Sequence, residues 1–257
     1  MTEPLPSVLI LTPMKDAVRH LPTWMAGLER LDYPRERLSV GVLEGDSVDG
    51  TAEALQALKP RLDARLSDWR LFQKSFGFRM PEGLPRWDYA HQLPRRKVLA
   101  RARNHLLFRA LDDQDWVLWL DVDVIYFPAD LIQRMLATER DILHPHCVRT
   151  PGGPTFDLNA WRRNGSETMQ DLRGGPDLVR LDSVGGTVLM VRADVHRDGL
   201  IFPPFPYGAP SKAVRDPHPL GPNVRGELET EGLGIMAIDM GRQCWGMPNL
   251  EVIHADE

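Results

Sequence analysis

The chain has 257 residues, 42% of them hydrophobic and 26% charged, with 7 Trp, 8 Phe and 4 Tyr. That is enough apolar material for a sizeable core, and it excludes a disordered polymer. The 31 Lys and Arg against 36 Asp and Glu leave a net charge of −5; such a surface recruits no polyanion without a concentrated basic patch, so nucleic acid is a poor first partner.

In chain order, the opening Met1 to Ser7 has no basic region followed by an apolar run, and no later stretch approaches the ~18 uninterrupted apolar residues of a membrane helix. The expectation is a cytoplasmic protein with no membrane span. Val8 to Thr12 predicts a buried strand stopped by Pro13, and His20 to Leu31 a helix with Leu21, Trp24, Met25 and Leu28 on one face. Leu38 to Leu43 predicts a second strand ending at Glu44-Gly-Asp46, and Asp49 to Leu58 opens with capping chemistry and continues as a helix. A strand over Trp69 to Phe72 is followed by a polar, Pro-broken stretch to Pro94, then by a basic helix from Arg95 to Leu111. Trp116 to Leu120 is the clearest buried strand, and it stops at Asp121-Val122-Asp123. A helix after Pro128, a strand Asp141 to His144, a strand Thr187 to Val191, a helix Glu231 to Met240 and a strand Leu250 to Ile253 complete the regular pieces. The alternation of strand and helix predicts an α/β, Rossmann-like, mostly parallel sheet with helices on both faces. The 22 Pro and 21 Gly, about 17% of the chain where ~12% is usual, gather in 81–94, 145–176 and 203–226. Cys147 and Cys244 are too few for a disulfide scaffold and read as buried thiols.

Ligands of an open parallel sheet bind beyond the carboxyl ends of its strands. Here those ends are Thr12-Pro13-Met14-Lys15-Asp16, Glu44-Gly45-Asp46 and Asp121-Val122-Asp123, all polar. Two Asp at i and i+2 after an apolar strand project from one side of the chain, and a hard divalent cation relieves their repulsion. Such an ion beside a sheet bridges diphosphate oxygens and stabilises a departing nucleoside diphosphate. On the basic helix, Arg101, Arg103 and Asn104 are candidates for the same phosphates; Arg95, Arg96 and Lys97 read equally well as a solvated basic face, and Lys15 shares that ambiguity.

Thr12 to Ala17, Glu44 to Thr51, Ala102-Arg-Asn104, Trp116 to Val124, Asp157 to Trp161, Val184 to Arg197, Glu229 to Gly234 and Gly246 to His254 resemble, in order, landmarks of the fungal Golgi mannan-polymerase mannosyltransferases, glycosyltransferase family 62. The resemblance implies a GT-A fold over the whole chain, with a nucleotide-binding half at 1–125 and an acceptor-binding half at 126–257. It implies a nucleotide-sugar donor, GDP-mannose ahead of a UDP-sugar, a divalent ion, Mn2+ or Mg2+, and transfer of a hexose to an acceptor hydroxyl with retention of configuration. A carbohydrate acceptor and a homo- or hetero-oligomeric assembly go with it. The family's membrane anchor and stem have no counterpart here, which points to a cytoplasmic, bacterial relative.

Carried over by position, Asp121, Asp123 and His254 would hold the metal, with Val122 between the carboxylates at the donor. Thr12, Pro13, Asp16, Glu44 and Asp46 would line the nucleoside pocket, although Thr12 and Pro13 also read as a strand stop and Glu44 has no clear counterpart in the family. Gly185 and Gly186 would let backbone approach a sugar, or simply turn the chain into the next strand. Glu229 and Glu231 would bind donor sugar or acceptor, Glu231 with a catalytic role, or would serve only as helix-capping charges. Asp157, Asn159 and Trp161 would offer hydrogen bonds and a stacking face, or Trp161 would be core. Asp182 is a further catalytic candidate, and His144 and His146 read as loop-stabilising. Two other readings stand beside this one: a sugar-phosphate nucleotidyltransferase, disfavoured by the lack of a Gly-rich phosphate loop after the first strand, and a non-catalytic nucleotide-sugar-binding subunit of a polymerase complex.

Overall fold

The structure is a computed structural model that describes residues 5–66, 68–84 and 88–256. Residues 1–4 of the opening segment and 85–87 of the first Pro- and Gly-rich cluster lie outside these. The strands are β1 (Val8–Met14), β2 (Leu38–Glu44), β3 (Asp68–Gln73), β4 (Trp116–Leu120), β5 (Val124–Tyr126), β6 (Ile142–Val148), β7 (Trp161–Arg162), β8 (Glu167–Thr168), β9 (Val179–Leu181), β10 (Val188–Arg192) and β11 (Cys244–His254). The helices are α1 (Leu21–Arg30), α2 (Thr51–Arg65), α3 (Tyr89–Ala110), α4 (Leu131–Leu136), α5 (Met169–Leu172), α6 (Ala193–Arg197) and α7 (Glu229–Asp239). The main sheet runs β3-β2-β1-β4-β10-β6-β11-β5, with β9 paired to β11. β3, β2, β1 and β4 are mutually parallel, whereas β10 runs antiparallel between β4 and β6. The parallel half places the ends of β1, β2 and β4 on one edge.

Alternation along β1 divides the core. Val8 and Ile10 pack with α1, α2 and α4 on one face; Leu9 and Leu11 pack with α3, α6 and α7 on the other. Helix α3 lies so close to the sheet that a Cβ on Gly41 would meet Leu11 Cδ2 at 2.8 Å and Ala110 Cβ at 2.9 Å. The two cysteines are free and buried, and no helix among the described residues is long and apolar enough to cross a membrane.

Proline misleads the sequence reading at five places, one of them Pro145, where the strand expected to stop at His144 runs on to Val148. α3 begins at Tyr89 and passes through Pro94, which lies in its second turn, and α2 continues through Pro60 to Arg65. β1 carries Pro13 to Met14, past the end of its pairing with β4 at Leu11. β11 starts at Cys244, six residues before the predicted start at Leu250, because a bulge after Met247 absorbs Pro248. That bulge explains His146, whose Nδ1 bonds to Pro248 O at 3.0 Å. His144 and His146 are therefore buried strand residues of β6, not loop residues.

One buried histidine makes the core acid-sensitive. His196 accepts from Trp119 Nε1 at 3.3 Å through Nε2, so its Nδ1 carries the proton given to Leu200 O at 2.7 Å. Burial pushes its pKa down from 6.5 to about 4. The unfolded chain binds the extra proton between those values, so stability falls as pH drops from 6.5 to 4, by about 3 kcal/mol. Urea unfolding across this range is expected to show that loss in the native chain and not in His196→Phe; equal pH slopes in the two proteins would place the acid sensitivity elsewhere.

Candidate active site

β4 delivers Asp121 and Asp123 to the sheet edge. Asp121 N–H donates to Thr187 O at 2.9 Å, and Val124 N–H returns to Asp121 O at 3.2 Å, which turns the chain tightly around buried Val122. Asp123 Oδ1 lies 3.0 Å from His254 Nε2 at the end of β11. The His254 Nδ1–H donates to Ala255 O at 2.7 Å. Phe156 stacks on the imidazole, with centroids 3.6 Å apart and planes at 10°. Burial opposes charge on His254, but Asp123 outweighs it and holds the pKa above the usual imidazole value. Burial raises Asp121 to about 7, against Arg103 and with help from the neighbouring Asp123 charge. Two carboxylates so placed form a site that favours a cation.

Behind this pair is a buried charge cluster. Arg103 Nη2 is 3.0 Å from Asp121 Oδ1 and 3.2 Å from Gly186 O, and its Nε is 3.0 Å from Glu229 Oε1. Arg96 Nη1 reaches Glu231 Oε2 at 2.5 Å, and its Nη2 donates to Leu228 O at 3.0 Å. Arg215 Nη2 bridges Glu231 Oε1 at 2.6 Å and Glu227 Oε2 at 2.7 Å; Trp161 Nε1 donates to Glu231 Oε1 at 3.3 Å, and His218 Nε2 faces Glu227 Oε2 at 3.0 Å. Burial opposes ionisation of Glu227, yet His218 and Arg215 overcome it and hold its pKa down to about 2. Glu229 opens α7 with φ of 52°, in the left-handed region that an L residue occupies at a cost, so its carboxylate position is over-determined by these partners.

The other predicted residues fall into three places. At the ends of β1 and β2, Thr12 accepts from Trp24 Nε1 at 3.3 Å beside Pro13, and Lys15 donates to Phe78 O at 2.6 Å. Asp16 accepts from Val48 N at 2.8 Å, and Glu44 from Ser47 N at 3.2 Å and Gln73 Nε2 at 3.4 Å. Asp46 holds Ser75 Oγ, Phe76 N and Gly77 N at 2.5, 2.7 and 3.3 Å. These residues build one loop-bounded rim on the same edge as the Asp pair. Around β10, the Asp157 carboxylate accepts from Gly186 N, Thr187 N, Thr187 Oγ1 and Asn159 N at 2.9, 3.2, 3.1 and 3.1 Å. A Cβ on Gly185 would meet Asp157 Oδ2 at 2.0 Å, and one on Gly186 would meet Arg103 Nη2 at 2.6 Å. The glycines make room for a carboxylate and a guanidinium of this chain. Away from the cluster, Asp182 accepts from Arg163 N at 2.7 Å, and Asn104 spends both ends of its amide on the Phe202 backbone, at 2.7 and 2.9 Å.

Arg215, His218, Glu227 and Phe156 escaped the sequence reading. Arg215 and His218 stand in a Pro- and Gly-rich segment without periodicity and Glu227 directly follows it; only the density of charge there, with Glu227 two residues before Glu229, signalled them. Arg96, read as open to a solvated role, is 8% exposed and belongs to the cluster.

Comparison with known proteins places the chain. It is 30% identical over 301 residues to the mannan polymerase II complex anp1 subunit of Schizosaccharomyces pombe, matching 99% of this chain and 65% of that one. It is 31% identical over 292 residues to the mannan polymerase complex subunit mnn9 of the same yeast, matching 97% and 80%. The chain thus spans just under two thirds of the first relative's length. Among solved structures, mannosyltransferase PcManGT from Pyrobaculum calidifontis, in complex with GDP-Man and Mn2+, superposes with TM-score 0.61 at 16% identity over 98% of this chain and 58% of that one. GalNAc-T7 with UDP, GalNAc and Mn2+ gives 0.58 at 12% over 99% and 45%. These neighbours show the fold, GT-A. With the Anp1 family model matching residues 2–177 and 166–206, the chain belongs to the Anp1 family.

Proposed function

We propose that the protein is a metal-dependent glycosyltransferase that transfers a hexose, mannose from GDP-mannose before a UDP-sugar, to a carbohydrate hydroxyl with retention of configuration. The observation that carries this reading is the meeting of Asp123 with His254 at 3.0 Å, next to Asp121, on the strand-end edge of the sheet. The named relatives, subunits of mannan polymerase complexes, and a neighbour titled as a mannosyltransferase support it.

Two carboxylates and an imidazole are the donor chemistry of Mn2+, and of Mg2+ with less preference for the nitrogen. Among the described residues no three His, Cys, Asp or Glu side chains already stand as a coordination shell. Asp123 and His254 are together, while Asp121 is held by Arg103. With Nδ1–H fixed on Ala255 O, His254 has Nε2 available as the ligand atom once its proton leaves. Asp121, Asp123 and His254 would hold the ion, which when bound neutralises the donor diphosphate and its growing negative charge.

The chain's own residues do the rest. Arg103, locked by Asp121, Gly186 O and Glu229, would set the cationic wall of the diphosphate subsite without the reorganisation a mobile Lys requires. The rim from Thr12 to Asp16 and Glu44 to Asp46 would bind the nucleoside through its loop N–H groups and carboxylates. Glu229 and Glu231, buried and ionically paired, would fix the sugar side, and Trp161, 1% exposed with its N–H on Glu231, would support that carboxylate from within the core. A homologous subunit is a natural partner, given the complexes named for the relatives.

Thermal melting with nucleoside diphosphates and sugar nucleotides tests the reading. GDP compounds with Mn2+, at a hundred times their dissociation constant, are expected to stabilise the chain by about 2.7 kcal/mol, and Asp123→Ala to abolish the Mn2+-dependent part; no shift with either GDP or UDP compounds sinks the proposal. Product analysis with GDP-mannose and a mannoside acceptor is expected to show free GDP, with Asp121→Asn lowering turnover about 100-fold, the scale of losing one charge-stabilising group. Pyrophosphate formation would instead identify a nucleotidyltransferase, and binding without turnover a subunit that only holds the donor.

A further inference from the structure

Phe156 and Asp157 are adjacent in the chain; Phe156 touches His254 of the candidate metal centre, and Asp157 binds the Gly186-Thr187 backbone that holds Arg103 and Asp121. Phe156 N–H donates to Cys147 O at 2.8 Å, which anchors this pair to β6. The Phe156 ring covers His254 at 3.6 Å and 10°, with the Arg149 guanidinium 5.1 Å from the Phe156 ring. The buried Asp157 carboxylate gathers Gly186 N, Thr187 N and Thr187 Oγ1 onto a single oxygen. The carbonyls of the same two residues are the ones that fix the centre: Gly186 O accepts from Arg103, and Thr187 O accepts from Asp121 N–H.

We propose that Phe156 and Asp157 are positioning residues that align the imidazole half and the carboxylate half of the Asp121, Asp123 and His254 centre; this rests on the reading of that centre as a metal site. The physical reason is rotational. His254 is held through Nδ1 by Ala255 O and through Nε2 by Asp123, and these two contacts at opposite corners of the ring leave it free to swing about the line between its nitrogens. A parallel aromatic face removes the swing, so the plane of the ring is fixed with Nε2 toward Asp123. Asp157 acts at one remove. Its carboxylate holds the peptide unit that carries Gly186 O, which accepts from Arg103, and grips through both N–H and Oγ1 Thr187, the residue whose carbonyl accepts from Asp121 N–H. Neither residue touches the ion or substrate in this scheme. Partners of this kind that orient metal ligands change affinity by roughly ten- to a hundred-fold when removed.

The test is calorimetric titration of MnCl2 alone into the full chain, without nucleotide. Phe156→Leu and Asp157→Asn are each expected to weaken Mn2+ binding by about ten-fold or more, while Phe156→Tyr, which keeps the aromatic face, retains native affinity. A second readout needs no metal: the His254 ring protons, shielded by the stacked ring, are expected to move downfield in the NMR spectrum of metal-free Phe156→Leu and to stay in place in Phe156→Tyr. Native affinity in both Phe156→Leu and Asp157→Asn overturns the proposal. If Asp157→Asn fails to fold, the Leu and Tyr variants of Phe156 decide it alone. Failure of the unaltered chain to bind Mn2+ overturns the metal site itself, an outcome distinct from unchanged affinity in the variants.

Discussion

A guanidinium buried in a protein needs anions and carbonyls close by, because removing its water costs several kcal/mol that only they return. Arg103, 4% exposed, meets that demand at Nη2 with Asp121 and Gly186 O and by the charge of Glu229 beside Nε, groups drawn from the end of β4, the approach to β10 and the start of α7, while Nε and Nη1 have no hydrogen-bond partner among the described residues. Its flat face lies over Trp119 and Phe202, at 5.6 and 5.4 Å. Helix α3 therefore buries a stripe that is polar at Arg96, Arg103 and Asn104 and apolar at Leu106, Leu107 and Ala110. The apolar end fastens the helix to the sheet, and the polar end supplies the fixed cation around which the acidic residues assemble.

The same demand explains why the Pro- and Gly-rich segment 203–226 is tied down. Arg215 and His218 are drawn inward by Glu227, and Arg215 continues to Glu231, so the loop is fastened to the first turn of α7 by ion pairs with little access to water. Asn104 fixes the chain just before that segment by gripping the Phe202 backbone in both directions. Turn-forming residues shape the path, and buried charge holds it.

The strands and the metal candidates were legible in the sequence for a simple reason: β1, β2 and β4 are apolar on both faces, and β2 and β4 end abruptly in carboxylates, so composition marks both the element and its candidate functional end. Residue-by-residue resemblance supplied His254, whose surroundings in sequence carry no metal signal. Proline was the main source of error, since Pro13, Pro60, Pro94, Pro145 and Pro248 all sit inside regular elements where a lost N–H is tolerated by an unpaired position, a long helix or a bulge. Gly185 and Gly186 were legible as close-approach glycines, but the approaching groups are Asp157 and Arg103, which only the fold brings near. Phe156 could not be read at all, because stacking on a residue at the far end of the chain leaves no local pattern.

The place of β11 in the sheet has a consequence for biosynthesis. It is an interior strand, paired to β6 on one side and to β5 and β9 on the other, and it follows all the other described elements in chain order. Until it emerges from the ribosome, the buried strand β6 has an open hydrogen-bonding edge, the kind of surface that pairs with other chains. The nascent protein thus passes through a stage in which its sheet is incomplete and prone to aggregate. Arrival of the strand that closes the edge also delivers His254 to Asp123, so that pair forms and the edge is covered in the same step.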